Sequence, residues 1–197
     1  MAIRWRSTTR CFLTSRSKMS GLASKFQLTL PNAKRDHIQG PIEARIALVE
    51  YGDYECPYCG QAYPMIKAIQ ERLGERMCFV FRNFPLVNAH PHAQHAAEAA
   101  EAAGAQGRFW EMHDLLYENQ DALGDENLAQ YAEALGLDAQ RLIGEVLAGV
   151  HTARVREDFR SGGRGGVNGT PTLFINGARY EGALDATALL EALLNPD

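Results

Sequence analysis

The sequence is short of cysteine. Four thiols in 197 residues (Cys11, Cys56, Cys59 and Cys78) are too few for a disulfide-stapled scaffold, so the fold has to rest on an apolar core. With 46% hydrophobic and 22% charged residues, the chain has the material for such a core, as one domain with an insertion or as two small ones. No apolar run approaches the length of a bilayer-crossing helix, and no membrane span is expected. Acidic residues are missing from the first 35 positions, which carry Arg4, Arg6, Arg10, Arg16, Lys18, Lys25, Lys34 and Arg35. Because the net charge is −4, the remainder is clearly acidic. Phosphate binding needs clustered positive charge, so a nucleic-acid partner is not expected. The leader also lacks the apolar h-region of a secretory signal, Cys11-Phe12-Leu13 being its longest apolar run before Arg16. Its richness in Arg, Ser and Thr fits an organelle transit peptide. The plainer expectation is a basic, disordered tail over residues 1–40, with Met19 as an alternative start, on a cytoplasmic protein.

Beyond the tail the pattern alternates. Residues 46–51 form an apolar, β-branched run and predict a buried strand. Pro57 suits the first turn of a helix, where its missing N–H costs nothing. Tyr63, Ile66, Ile69 and Leu73 then recur at helical spacing until Gly74 supplies a stop. Residues 77–81 predict a second buried strand. Strand, helix and strand on this scale make a βαβ unit with parallel strands. The middle of the chain is different: helices are predicted over 92–103, 109–119, 126–135, 139–150 and 152–159, with no strand signal. The glycine run 161–166 lacks the Lys-Ser/Thr of a phosphate loop and reads as a flexible joint. A strand over 172–175, the two-residue turn Asn176-Gly177, a return strand over 178–181 and a helix capped by Asp185 complete the chain.

The chemistry is concentrated in Cys56-Pro57-Tyr58-Cys59. A cysteine at a helix start faces unpaired backbone N–H groups and the positive end of the dipole, and both favour its thiolate. Cys56 holds that position and is the expected attacking sulfur. Cys59 lies one turn deeper on the same face, where it can strike a mixed disulfide held on Cys56 and release the partner. Asp53 and Glu55 oppose the thiolate if their carboxylates lie close, a balance that spacing leaves open. A zinc site would need about two further ligands. Cys78 and the cluster His90, His92 and His95 are the nearest candidates, but Cys78 sits in a predicted buried strand. The histidines open a helix and fit a solvated first turn, so no metal is expected. Gly169-Thr170-Pro171-Thr172 precedes the hairpin. Its Pro171 cannot donate to a ladder and fits an edge or a kink. If the chain folds back there, the backbone of Thr170 is exposed for an extended substrate to pair with.

Taken together, these residues resemble the thioredoxin fold. The insert, with His90-Pro91-His92 and then Gly107-Arg108-Phe109-Trp110-Glu111-Met112-His113, is similar to the DsbA-like branch of thiol–disulfide oxidoreductases. The resemblance covers about residues 42–194. It implies a thioredoxin-like α/β domain from 41–87 and 167–197, with a mixed sheet, flanking helices and an all-helical insertion over 88–166. It implies a cis bond at Thr170-Pro171 beside the cysteine pair. Cys56 would be nucleophile and Cys59 resolving thiol, with Pro57, Tyr58, Thr170 and Pro171 on the substrate side. It implies protein or peptide thiol and disulfide substrates, a separate redox-recycling partner, and no metal or organic cofactor. The Pro57-Tyr58 dipeptide departs from the Pro-His of the strongly oxidising prototype, which leaves the direction of electron flow open. Two rival expectations stand beside this one: a glutathione-dependent enzyme on the same fold, and a non-catalytic zinc or peptide-binding module.

Overall fold

The computed structural model describes residues 28–196; Cys11 and the leader to residue 27 lie outside the described residues. Five strands form one mixed sheet in the order β1-β3-β2-β4-β5. β2 (Ile46–Gly52) and β3 (Met77–Asn83) are central, fully paired and parallel, with Ile46 opposite Met77 and Gly52 opposite Asn83. Between them runs α1 (Pro57–Leu73), which ends at Gly74 with φ 52°. β1 (His37–Gln39) pairs antiparallel with β3. β4 (Thr172–Ile175) runs antiparallel to β2 and to β5 (Ala178–Arg179), to which it is joined through Asn176-Gly177.

Successive strand side chains point to opposite faces. In β2 and β3 this sends Ile46, Leu48, Met77, Phe79 and Phe81 into the larger core, with Ile66, Ile69 and Leu73 of α1. Val49, Tyr51, Cys78 and Val80 enter a smaller cluster on the other face, with Leu28, Phe84 and Phe174. Glu50 shares the parity of Ile46 and Leu48 and so points toward the face that holds Cys56 and Cys59.

Five helices lie between β3 and β4: α2 (Ala93–Ala105), α3 (Phe109–Glu118), α4 (Asp125–Ala134), α5 (Ala139–Leu147) and α6 (Thr152–Arg164). Alanines 96, 99, 100, 102 and 103 are buried, giving α2 the close approach to its neighbours that small side chains allow. The last helix, α7 (Ala186–Leu194), is capped by Asp185, whose carboxylate accepts from the backbone N–H of Thr187 and Ala188.

Two expectations need correction. Residues 161–164 are not a joint but the last turn of α6. A Cβ at Gly162 would lie 2.8 Å from the Phe84 ring and 2.9 Å from that of Tyr51, so glycine here serves close packing against the sheet. The tail boundary at residue 40 is also misplaced, because β1 and Leu28 belong to the folded body. The reason is electrostatic. Arg82 of β3, fully buried, forks onto both carboxylate oxygens of Asp36 at 3.0 and 2.9 Å, and donates to the Thr29 carbonyl and the Tyr51 hydroxyl. Arg35 extends the network to Asp158 of α6. A buried charge needs such partners, and Thr29, Leu30 and Asp36 supply them to Arg82 alongside Tyr51.

Candidate functional site

Parallel β2 and β3 end side by side, and antiparallel β4 starts opposite the end of β2, with Thr172 against Tyr51. Three connections therefore leave the sheet at one edge: the turn 53–56, the segment 84–92 and the approach to β4 through Thr170. The ends of parallel strands are where α/β folds commonly bind ligands.

Cys56 is the N-cap of α1, in extended backbone (φ −74°, ψ 121°), with Pro57 following at the helix start. As a thiol it donates to the Thr170 carbonyl at 3.4 Å. The Thr170–Pro171 bond is cis, and the Thr170 hydroxyl is buried without another partner. Cys59 is fully buried one turn into the helix. Its thiol donates to the Cys56 sulfur, and this bond, against the opposing pull of burial, leads the groups that lower Cys56 from 9 to about 5. Hydrogen bonds from Thr170 and from the backbone of Cys59 and Tyr58 add to it. Burial pushes Cys59 the other way, well above the usual thiol, helped by its bond to Cys56 and by Glu50. The pair is thus one thiolate and one neutral thiol. Among the predicted substrate-side residues, Pro57 and Tyr58 are exposed, and Thr170 and Pro171 are half-buried.

Several groups at this edge were not assigned a role from the sequence. Glu50 is buried with one carboxylate oxygen unpartnered; burial first, then the Cys56 charge, raises it to about 8. A lone carboxylate inside an apolar strand run was the signal that could have marked it. Gln120, between α3 and α4, donates to the carbonyls of Tyr54 (2.7 Å) and Cys56 (2.9 Å) and so ties the insertion to the cysteine turn. It fits because residue 60 is glycine: a Cβ there would lie 1.9 Å from the Gln120 side-chain oxygen. Beneath the turn, the Tyr54 hydroxyl bonds His113 Nδ1 at 3.1 Å. Burial lowers His113 to about 3, so the ring is neutral and accepts that proton.

The residues weighed as zinc ligands do not gather at the pair. Cys78 faces the smaller cluster, His90 bonds Asp53, His95 bonds Asp125, and His92 is exposed. No group of three or more His, Cys, Asp or Glu able to hold a metal occurs among the described residues.

A family model described as Thioredoxin matches residues 32–195. The oxidised form of BdbD from Bacillus subtilis superposes with a TM-score of 0.77 at 21% identity, over 87% of this chain and 97% of that one. A thioredoxin-like oxidoreductase from Silicibacter pomeroyi DSS-3 gives 0.71 at 26% identity, over 80% and 90%. The fold is therefore thioredoxin-like, as its sequence resemblance implied. A curated relative from Salinispora tropica, Na(+)/H(+) antiporter NhaA 3, is 46% identical over 163 residues, which make up 82% of this chain and 24% of that protein. The chain thus spans about a quarter of the length of the curated relatives it matches.

Proposed function

Because the chain belongs to the thioredoxin family, with a helical insertion like that of the DsbA-like branch it resembles, we propose that it is a thiol–disulfide oxidoreductase acting on protein or peptide substrates. What carries the reading is the opposite ionisation of Cys56 and Cys59 beside Thr170, just beneath the exposed Pro57 and Tyr58. In the reducing direction the Cys56 thiolate attacks a substrate disulfide. The substrate S–S bond breaks, a mixed disulfide forms, and one substrate thiolate leaves. Cys59 then loses its proton and attacks the Cys56 sulfur, releasing the second substrate thiolate and closing the Cys56–Cys59 disulfide. Glu50, on the same face, takes that proton as a carboxylate after giving up its own proton to solvent. Once Cys56 is in a mixed disulfide its charge is gone, and with it one of the two causes that keep Glu50 protonated.

The reverse direction uses the same steps. A thiolate near 5 favours the dithiol form at neutral pH, by about 30 mV for each tenfold change in equilibrium constant. This favours donation of the disulfide to substrate thiols. Ion transport, which the names of the curated relatives state, belongs to whole proteins of which this chain spans about a quarter, and it is not carried over.

The test is turnover of a disulfide-containing protein and of a reduced one. Both activities should vanish in Cys56→Ser, and Cys59→Ser should accumulate mixed disulfides on residue 56. Full activity in Cys56→Ser would end the proposal. One zinc per chain, lost on replacing the two cysteines, would put a metal-binding module in its place.

A further inference from the structure

Asp53 stands three residues before Cys56, whose backbone N–H donates to the Asp53 carbonyl at 3.1 Å. Its carboxylate is completely buried, and left bare it would oppose a thiolate next door. It is not bare. One oxygen accepts the backbone N–H of Glu55 at 2.9 Å. The other accepts the backbone N–H of Leu86 at 2.8 Å and Nδ1 of His90 at 2.8 Å. Both of the latter come from the segment after β3. That segment is fastened again by the Phe84 N–H on the Gly52 carbonyl (2.7 Å) and the His92 N–H on Glu55 (2.6 Å). The imidazole is therefore held at a fixed place against the cysteine turn, by a residue of that turn.

We propose that His90 is a positioning residue for Cys56: clamped as an imidazolium by Asp53, it cancels the carboxylate's charge and supports the thiolate from outside the Cys-x-x-Cys helix. The proposal rests on the oxidoreductase reading and adds a group to its machinery. The titratable groups facing His90 are Asp53, Glu55 and Cys56 on the turn; His92 follows on its own segment and is exposed. Burial pulls the imidazole toward neutrality, but the hydrogen bond and charge of Asp53, with Cys56 and Glu55, outweigh it and hold it above the ordinary histidine value. Two consequences follow. The Cys56 thiolate loses support as pH rises through the titration of His90. By reciprocity His90 must be easier to protonate in the dithiol protein than in the disulfide, where the Cys56 charge is absent.

The experiment uses the whole chain and two readouts. The first is ultraviolet titration of the Cys56 thiolate, with the glutathione equilibrium constant, in wild type and His90→Asn. Asparagine can still donate to Asp53 but carries no charge. We expect the Cys56 pKa to rise by about one unit, and the equilibrium to move about tenfold toward the disulfide. The second is NMR titration of His90 in the wild-type dithiol and disulfide forms, which needs no variant to fold. We expect the higher pKa in the dithiol. Equal His90 titration in the two forms, or an unchanged Cys56 titration in a folded His90→Asn, overturns the proposal. Failure of the wild type to form a Cys56–Cys59 disulfide at all would instead overturn the oxidoreductase reading, so the two failures are distinguishable.

Discussion

Glu50→Gln is the most direct probe of the electrostatics beneath the cysteine pair. A carboxyl group raised from 4.5 to about 8 on folding is neutral in the native protein at pH 7 but ionised in the unfolded chain. Its contribution is fully present below pH 4.5 and is lost as pH rises toward 8, because the unfolded state releases the proton first. At pH 7 the loss amounts to about 3 kcal/mol, from 2.5 pH units at 1.36 kcal/mol each. Glutamine keeps the shape and removes the titration. It leaves a buried amide to satisfy, at a cost of ~1–3 kcal/mol that does not vary with pH. The informative quantity is therefore the pH dependence of the difference between wild type and variant, followed by urea unfolding from acid to neutral pH. The disulfide form should be measured first, since Cys56 does not titrate there and burial alone acts on Glu50. There wild type should lose up to about 3 kcal/mol relative to the variant between pH 4.5 and 7. The dithiol form should reach the full figure of about 3 kcal/mol, because the value of about 8 already includes the Cys56 charge. A difference that stays flat with pH would mean that Glu50 ionises normally in the folded protein. It would also remove Glu50 as the proton acceptor for Cys59.

Gly60→Ala should destabilise by about 1 kcal/mol. The new methyl would collide with the Gln120 side chain and break two bonds, at ~1–3 kcal/mol, against a helix-propensity gain of up to ~1 kcal/mol. Combined with Gln120→Ala it should cost nothing further, and simple additivity in that double-mutant cycle would refute the steric account. Asp185→Ala removes the α7 cap and should lower stability by ~1 kcal/mol in urea unfolding, with no change in Cys56 titration. A movement of the thiolate titration would show that α7 is coupled to the site.

What could be read from the sequence was what local spacing encodes. Apolar runs marked β2 and β3, helical spacing marked α1 from Pro57 to Gly74, and Asp185 announced the final helix. The thioredoxin-like class followed from their order together with the cysteine motif. What escaped depends on residues far apart in the chain. β1 has three residues, too few for a period, and is kept in place by an ion pair between Asp36 and Arg82, 46 positions away. Gly162 looked like a hinge because its reason, contact with Phe84 and Tyr51, lies on other elements. Gln120 and His90 escaped assignment for the same cause: their partners are 64 and 37 positions distant.

Two buried carboxylic acids beside the cysteine turn, Asp53, which the sequence singled out with Glu55, and Glu50, which it did not, show what spacing alone could not decide. Asp53 and Glu50 bear the same functional group and are both buried. Asp53 ends a strand, where two backbone N–H groups and an imidazole converge on it, so its charge is met on the spot. Glu50 lies inside the strand, three residues earlier, where every neighbouring backbone donor is committed to the ladder. One of its oxygens finds no partner, and the group escapes the cost by keeping its proton. Neither carboxylate therefore presents an uncompensated anion to Cys56 at neutral pH, and the helix N-terminus and the Cys59 thiol outweigh the opposing pull of burial on the sulfur. The same logic separates the two cysteines. At the cap, Cys56 meets donors and becomes the anion; one turn deeper, Cys59 meets apolar walls and Glu50 and stays protonated. Which of the two sulfurs carries the charge is thus governed by which buried groups have donors within reach.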